Sequence, residues 1–467
     1  MKRSILLAYT AVALLLAGCG TQQPSQQTEK TMFTGATGEV KIITLDPGHF
    51  HAALVQKSAL DQIDPNVKVY APEGPDVESH IARIEGFNTR AENPTAWLLD
   101  VYRGADFFEK MIAEKAGNVV VISGNNAKKT EYIFKSVDAG LNVLADKPMV
   151  ITPEQYPMLE EAFARADSNG VLLYDIMTER YEITTMLQRE LSQIPEVFGS
   201  LQTGSPEDPA ITKESVHHFS KIVSGSHLIR PAWFFDVNQQ GEGIVDVTTH
   251  LVDLIQWEAF PEVILSKSDV EIVSAKHWTT DLTPEMFKQV TNLETYPDYL
   301  QKDVEGNTLK VYSNGEINYK LRGIHAKVSV IWNFEAPAGT GDTHYSTMRG
   351  TQCDVVIKQG QEENFQPTLY IQPAANADLS TFETSLGKAV NETLAAKYPG
   401  IKLVKKADKL WSVEIPADYK VGHEAHFTQV ADKYLRFLVE GKLPEWEVPN
   451  MIVKYYTTTE ALKKARQ

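Results

Sequence analysis

Cysteine is almost absent from these 467 residues: Cys19 and Cys353 are the whole complement. If Cys19 is modified, as argued below, Cys353 is left as the one plain thiol. That excludes an internal disulfide and a thiolate metal site. Basic runs are missing as well. The formal charge is −16, and losing Lys2 and Arg3, with no acid before Cys19, takes it to −16 − 2 = −18. This balance argues against nucleic-acid partners and against electrostatic attachment to a membrane. There is no internal repeat, and no low-complexity tract beyond one polar tether near the N-terminus. What is present is globular composition, 43% hydrophobic and 23% charged, at a length that accommodates two or three domains.

The chain opens with a targeting segment. Met1, Lys2 and Arg3 form a basic start, residues 5–16 are apolar, and Leu16, Ala17, Gly18 and Cys19 have the form of a lipoprotein cleavage site. The apolar run is too short for a permanent membrane span. A plain secretory signal is the alternative, disfavoured because Cys19 stands where the lipid is attached. Residues 1–19 are therefore expected to be a signal peptide. Residues 20–38, rich in Gln, Ser, Thr and Gly, are expected to be a flexible tether. The expected location is the cell envelope, lipid-anchored to a bacterial membrane and facing the periplasm, with the lipid as the sole membrane contact.

From residue 40 to 175, short apolar runs alternate with helical patterns. The runs are 40–45, 67–71, 118–123, 141–145 and 171–174; the clearest helical patterns are 127–139 and 153–166. The second is predicted to start with Thr152 as N-cap and Pro153 as its first residue. Val119, Val120, Val121 and Ile122 are apolar without alternation, as in a strand buried on both faces. This order predicts an α/β, Rossmann-like, doubly wound parallel sheet over residues 39–178, with residues 86–94 as a polar surface loop. After about residue 180 the texture changes. Residues 199–243 read as loop-rich and carry His217, His218, His227, Arg230 and Trp233; a helix is predicted over 244–257. Runs such as 324–332 and 352–358 within 270–371 predict a largely antiparallel open sheet. Helices are predicted over 424–440 and 448–466. Residues 179–467 are thus expected to form an α+β domain whose last helices pack back on the first domain.

Three local patterns carry chemistry. Asp146, Lys147 and Pro148 end a predicted strand, where α/β sheets face their ligands. Asp246 and His250 fall one turn apart on the predicted helix that follows Gly241 and Gly243, and Asp253 continues that face. Ser123, Gly124, Asn125 and Asn126 end a buried strand in small and amide residues. With these patterns in this order, and a closing helix that ends at Gly441, Lys442, Leu443 and Pro444, the sequence resembles the Gfo/Idh/MocA family of NAD(P)-dependent oxidoreductases over most of residues 40–467. The resemblance implies Lys147, Asp246 and His250 as catalytic residues. It implies a cofactor site at Gly48, His49, His51, Glu73, Ser123, Asn125, Asp146 and Lys147, and a sugar or glycoside pocket near His217, His218, Arg230 and Trp233. It also implies a homo-oligomer. For alcohol oxidation, His250 suits a base because its ordinary pKa is near neutral. Asp246 suits an orienting group, and Lys147 a hydrogen-bond donor to the reacting oxygen.

One departure stands out. The family's three-glycine phosphate loop is reduced here to Gly48, after Asp46 and Pro47. A helix starting near His49 is expected to offer free amides to a phosphate. His49 and His51 either contact that phosphate or pack inside the loop. Glu73, after the second strand, favours NAD over NADP if it binds ribose hydroxyls; residues 72–75 read equally as a plain turn. His423 and His426 share a helix start but lack a third ligand, so no metal is expected. Little free NAD exists outside the cytoplasm. The expected activity is therefore oxidation of a carbohydrate or polyol hydroxyl through tightly held NAD, in a redox-neutral elimination or epimerisation cycle. The alternative is a non-catalytic carbohydrate-binding lipoprotein that kept the fold and lost the cofactor.

Overall fold

The computed structural model describes residues 32–223, 226–337 and 340–467, without the side chains of residues 222, 223, 226 and 227. The signal peptide, Cys19, the tether through residue 31 and the His227 side chain lie outside the described residues.

The first sheet has six parallel strands: β1 (Ile42–Leu45), β2 (Asn66–Ala71), β3 (Leu98–Arg103), β4 (Val119–Ile122), β5 (Asn142–Asp146) and β6 (Leu173–Ile176). Their spatial order is β3-β2-β1-β4-β5-β6. The order reverses between β1 and β4, which opens a crevice at their carboxyl ends. Val119, Val120, Val121 and Ile122 are at most 2% exposed, because helices cover both faces of the sheet. The intervening helices are α1 (His51–Leu54), α2 (Pro75–Thr89), α3 (Phe107–Glu114), α4 (Lys129–Asp138) and α5 (Tyr156–Asn169).

Several expectations need correction here. Residues 86–89 belong to α2 rather than to a surface loop. β3 was not foreseen because it is an edge strand, half-exposed along its length, with Asp100 and Arg103 breaking the apolar run. α5 starts at Tyr156, three residues late, since Thr152 to Gln155 form a turn in which the Thr152 hydroxyl accepts from the Gln155 amide.

Within α2, His80 is 3% exposed, and neither ring nitrogen has a hydrogen-bond partner among the described residues. Burial, then the charge of Arg83, pushes its pKa down to about 4. The unfolded chain therefore takes up a proton near pH 6.5 that the folded chain refuses until about pH 4, so folding stability falls as pH drops across that window. His80→Leu is expected to remove up to about 3 kcal/mol of this loss. Urea midpoints of both proteins from pH 7 to pH 4 check it; parallel curves refute it.

The second sheet runs through Val270–Leu282, Thr308–Leu321, Ile324–Glu335, Ile211–Ser220, Thr343–Arg349, Cys353–Lys358, Thr368–Pro373, Leu410–Glu414 and Lys402–Ala407 in spatial order. All of these neighbours are antiparallel except Ile324–Glu335 with Ile211–Ser220. His217 and His218 thus sit on a strand, not in a loop. Polar inward residues hid that strand: buried Lys213 is neutralised by Glu258 at 2.9 Å and capped by Ser346 at 2.7 Å.

The C-terminal helices join the two cores. His423–Glu440 packs Phe427, Val430, Tyr434 and Leu435 against the first sheet. Glu447–Ala465 gives Met451 and Tyr455 to that core, and Val453, Ala461 and Leu462 to the other. At the junction, Arg180 grips Asp253 with two 2.7 Å bonds and Glu447 with bonds of 3.0 and 3.1 Å. Lys454 bridges Asp175 at 2.6 Å and Asp253 at 2.8 Å. Asp253 is therefore part of a buried ionic joint and does not continue a site-facing surface with His250.

Candidate active site

The site helix spans Thr248–Ala259 rather than 244–257; Asp246 lies in the turn before it. That turn presses on the strand Thr308–Leu321, and glycine makes the approach possible. A Cβ on Gly243 would stand 1.8 Å from the Ser313 carbonyl oxygen, and one on Gly315 would stand 2.6 Å from the Ile244 Cβ. The turn carries Asp246 across to the end of β5. There Lys147, whose peptide bond to Pro148 is cis, places its Nζ 2.6 Å from Asp246 Oδ1. Gln240 donates to the other carboxylate oxygen at 3.1 Å. The pair is nearly dry, with side chains 11% and 7% exposed.

His250 is buried beside this pair, and its Nδ1 has no hydrogen-bond partner among the described residues. Burial, then the charge of Lys147, pushes its pKa down to about 3. It is neutral at physiological pH and free to accept a proton, but as a weaker base than the ordinary imidazole expected from the sequence, because burial and Lys147 disfavour its charged form. Glu179 and His423 meet at 3.2 Å nearby. Burial acts to raise Glu179, but the surrounding histidines outweigh it and hold the carboxyl well below its ordinary range.

The end of β5 gathers a second group. Asp146 Oδ2 lies 2.9 Å from His51 Nδ1, 3.0 Å from the Ser123 hydroxyl and 3.9 Å from His49 Nδ1. Lys129, 1% exposed, donates to the Asp146 carbonyl oxygen at 3.1 Å. Burial lowers its pKa to about 8. A narrow cleft lined by His49, Lys129, Asp146, Lys147, Gln240 and Asp246 joins the two groups.

The remaining expected residues are distributed unevenly. His217 and His218 reach one carboxylate, Asp342, at 3.3 and 3.0 Å, and His217 Nε2 lies 2.7 Å from the Ser215 hydroxyl. Arg230 is engaged with the backbone oxygens of Phe219 and His218, at 3.0 and 3.2 Å, and stacks on Phe234 and Trp332. It shapes that wall rather than presenting free donors. Trp233 stands apart from them, over Gly48, with its indole donating to Asp76 at 2.8 Å. Asn125 bonds Gln239 across the domains at 2.7 Å, and Glu73 is exposed after β2. Lys129, Gln240, Glu179 and Ser215 were not foreseen. A lysine at a helix start and a glutamine before Gly241 carry no local signal; only burial marks them.

Residues 187–466 match the family model described as "Putative oxidoreductase C terminal domain". The chain also matches a solved structure from Parabacteroides merdae ATCC 43184, described as a putative oxidoreductase, with 60% identity and a TM-score of 0.92 over 93% of this chain and 99% of that one. The chain belongs to this family of Gfo/Idh/MocA-type oxidoreductases. More distant likeness shows the shared fold. Levoglucosan dehydrogenase, solved with NADH and levoglucosan, is 13% identical with a TM-score of 0.57, over 91% of this chain and 97% of that one. A 3-ketoreductase of Actinomadura kijaniata, solved with NADP and TDP-benzene, is 12% identical with a TM-score of 0.54 over the same shares. No curated protein matches the chain.

How well does this oxidoreductase suit a nicotinamide dinucleotide? Its crevice lies at the β1/β4 switch point, and the loops are closely fitted: a Cβ on Gly124 would stand 2.1 Å from the Asp46 carbonyl oxygen. Buried Ser123, Lys129 and Asp146 form a polar floor there, and Glu73 is exposed after β2. Those donors and acceptors suit the two nucleoside ends. The diphosphate end differs from expectation. α1 is a four-residue helix starting at His51, not His49. The Gly48 amide bonds the Asp46 carbonyl at 2.8 Å, the His49 amide bonds the Ser123 carbonyl at 3.3 Å, and the His51 amide bonds His49 Nδ1 at 3.3 Å. Those three amides are engaged, because a loop without its glycines closes on itself. Asp46 faces the same place; burial and the charge of Asp76 push its pKa up to about 6.

Proposed function

We propose that this oxidoreductase acts on a hydroxyl of a carbohydrate or polyol with tightly held NAD, NADP being disfavoured by Glu73. The net reaction is redox-neutral: oxidation, elimination or epimerisation at the acidified neighbouring C–H, and re-reduction. The observation that carries the reading is the buried 2.6 Å pair of Lys147 and Asp246 across the two domains, with neutral His250 beside it. Lys147 donates a hydrogen bond to the reacting oxygen and stabilises its developing charge. Asp246 holds that ammonium in place, and His250 accepts the hydroxyl proton. A bound nicotinamide supplies the hydride acceptor. The sugar ligand of levoglucosan dehydrogenase supports the substrate class. The lipid on Cys19 places the enzyme in the cell envelope, where a cofactor that is retained rather than exchanged is an advantage. By the same family likeness the enzyme forms a homo-oligomer.

The engaged amides of Gly48 and His49, and the acids Asp46 and Asp76 beside them, favour the rival reading: a carbohydrate-binding lipoprotein without cofactor. One experiment separates the two. Residues 20–467 are folded in the cytoplasm, purified and denatured, and the supernatant is assayed for NAD(H). We expect nearly one dinucleotide per chain. No dinucleotide, together with no binding on its addition, refutes the enzyme reading.

A further inference from the structure

No proton or hydride transfer in the reaction above is assigned to His49, His51 or Asp146. Their candidate ligand atoms all lie within 4.8 Å of one another. We propose that these three side chains form a binding site for a divalent first-row transition-metal ion, with zinc-like ligand chemistry.

Two imidazoles and one carboxylate are the ligand types such ions take, and a bound Zn²⁺ holds them at about 2.0–2.2 Å, which spaces neighbouring ligand atoms roughly 3–3.5 Å apart. The 2.9 Å from His51 Nδ1 to Asp146 Oδ2, a direct hydrogen bond here, needs to open by a few tenths of an ångström, and the 3.9 Å from His49 Nδ1 to close by a similar amount. The trio is also ordered by its surroundings. His51 and Asp146 are 7% and 3% exposed, and the Ser123 hydroxyl orients the carboxylate at 3.0 Å as a supporting partner.

The neighbouring cations do not saturate the site. Lys147 is bound to Asp246, and Lys129 to the Asp146 carbonyl oxygen rather than to its carboxylate. A bound ion takes the place of two contacts, the His51 Nδ1–Asp146 hydrogen bond and the one His49 Nδ1 accepts from the His51 amide. Three protein ligands leave a coordination position open, and His49 and Asp146 both line the cleft shared with Lys147 and Asp246. An ion there adds a Lewis acid beside the proposed reacting oxygen. This reverses the expectation of no metal. That expectation considered only His423 and His426, whereas the third ligand here lies 95 residues from His51 in sequence.

The test uses the full mature chain, stripped with chelator and dialysed against Co²⁺ or Zn²⁺ alone. We expect one ion per chain, a visible Co²⁺ absorption displaced by Zn²⁺, and an X-ray absorption spectrum of the zinc form that shows two imidazole ligands. His49→Ala/His51→Ala is expected to weaken affinity by more than about 100-fold, exceeding the usual effect of a supporting residue. Should that variant fail to fold, the wild-type spectrum decides by itself. A folded wild type that retains no ion, or a zinc spectrum without imidazole, overturns the site. So does a folded double variant that binds as tightly as wild type. Metal content is read without reference to dinucleotide content, so either reading can fail alone.

Discussion

Lys147→Ala is expected to lower turnover on a hydroxyl substrate by about 10²–10³-fold, the usual effect of removing one preorganised donor to a developing oxyanion. The NAD(H) recovered from the denatured variant is expected to match the wild type. Loss of the ammonium also leaves Asp246 buried with Gln240 as its remaining partner at 3.1 Å. An uncompensated buried charge costs about 3 kcal/mol or more, so the variant is expected to unfold at lower temperature. The double variant Lys147→Met/Asp246→Asn removes both charges and is expected to recover that stability without recovering turnover. Turnover that returned together with stability would show that Lys147 is structural. Substrates for the assay are found first with the wild type, by following bound-cofactor absorbance across a panel of glycosides and polyols.

The largest effect on folding is expected from Arg180→Met. Arg180 is 6% exposed and makes four bonds to two buried carboxylates, Asp253 and Glu447. Removing it leaves Asp253 to Lys454, and Glu447 to Lys433 at 3.5 Å. Breaking one side of such a network costs about 3–5 kcal/mol. Burial acts to raise the Asp253 carboxyl, but Arg180 and Lys454 prevail and hold it well below its ordinary range. The stability Asp253 contributes is therefore complete above its unfolded pKa and is lost as pH falls through the lower folded value. The variant is expected to lose less of its remaining stability than the wild type when taken from pH 7 to pH 3, below the unfolded Asp value of about 3.9. Urea titrations at both pH values measure the two effects. A loss under 1 kcal/mol at pH 7 would mean that the joint contributes little. Because Asp253 lies on the helix that positions His250, the variant tests whether the ionic joint also supports the site.

The boundary between what was legible in the sequence and what was not follows the range of the forces involved. The run Val119 to Ile122 announced a strand buried on both faces, since continuous apolarity needs only neighbouring residues to be seen. Lys147 before Pro148, and the Asp246–His250 spacing behind Gly241 and Gly243, were visible for the same reason. The strand Ile211–Ser220 escaped notice because Lys213 and Ser215 point inward, and the partners of Lys213, Glu258 and Ser346, come from distant segments. β3 escaped because an edge strand need not be apolar.

The sequence by itself determined the alternating α/β first half, the antiparallel second half and the residue types available for acid–base work, all properties of contiguous chain. Only the tertiary structure decided that Asp253 belongs to a joint rather than to the site, that Trp233 covers Gly48, and that the Gly48 and His49 amides are engaged. It alone brings His51 to Asp146. Hydrogen bonds and ionic contacts act over a few ångströms, and which residues come that close is set by the strand order, not by their spacing along the chain.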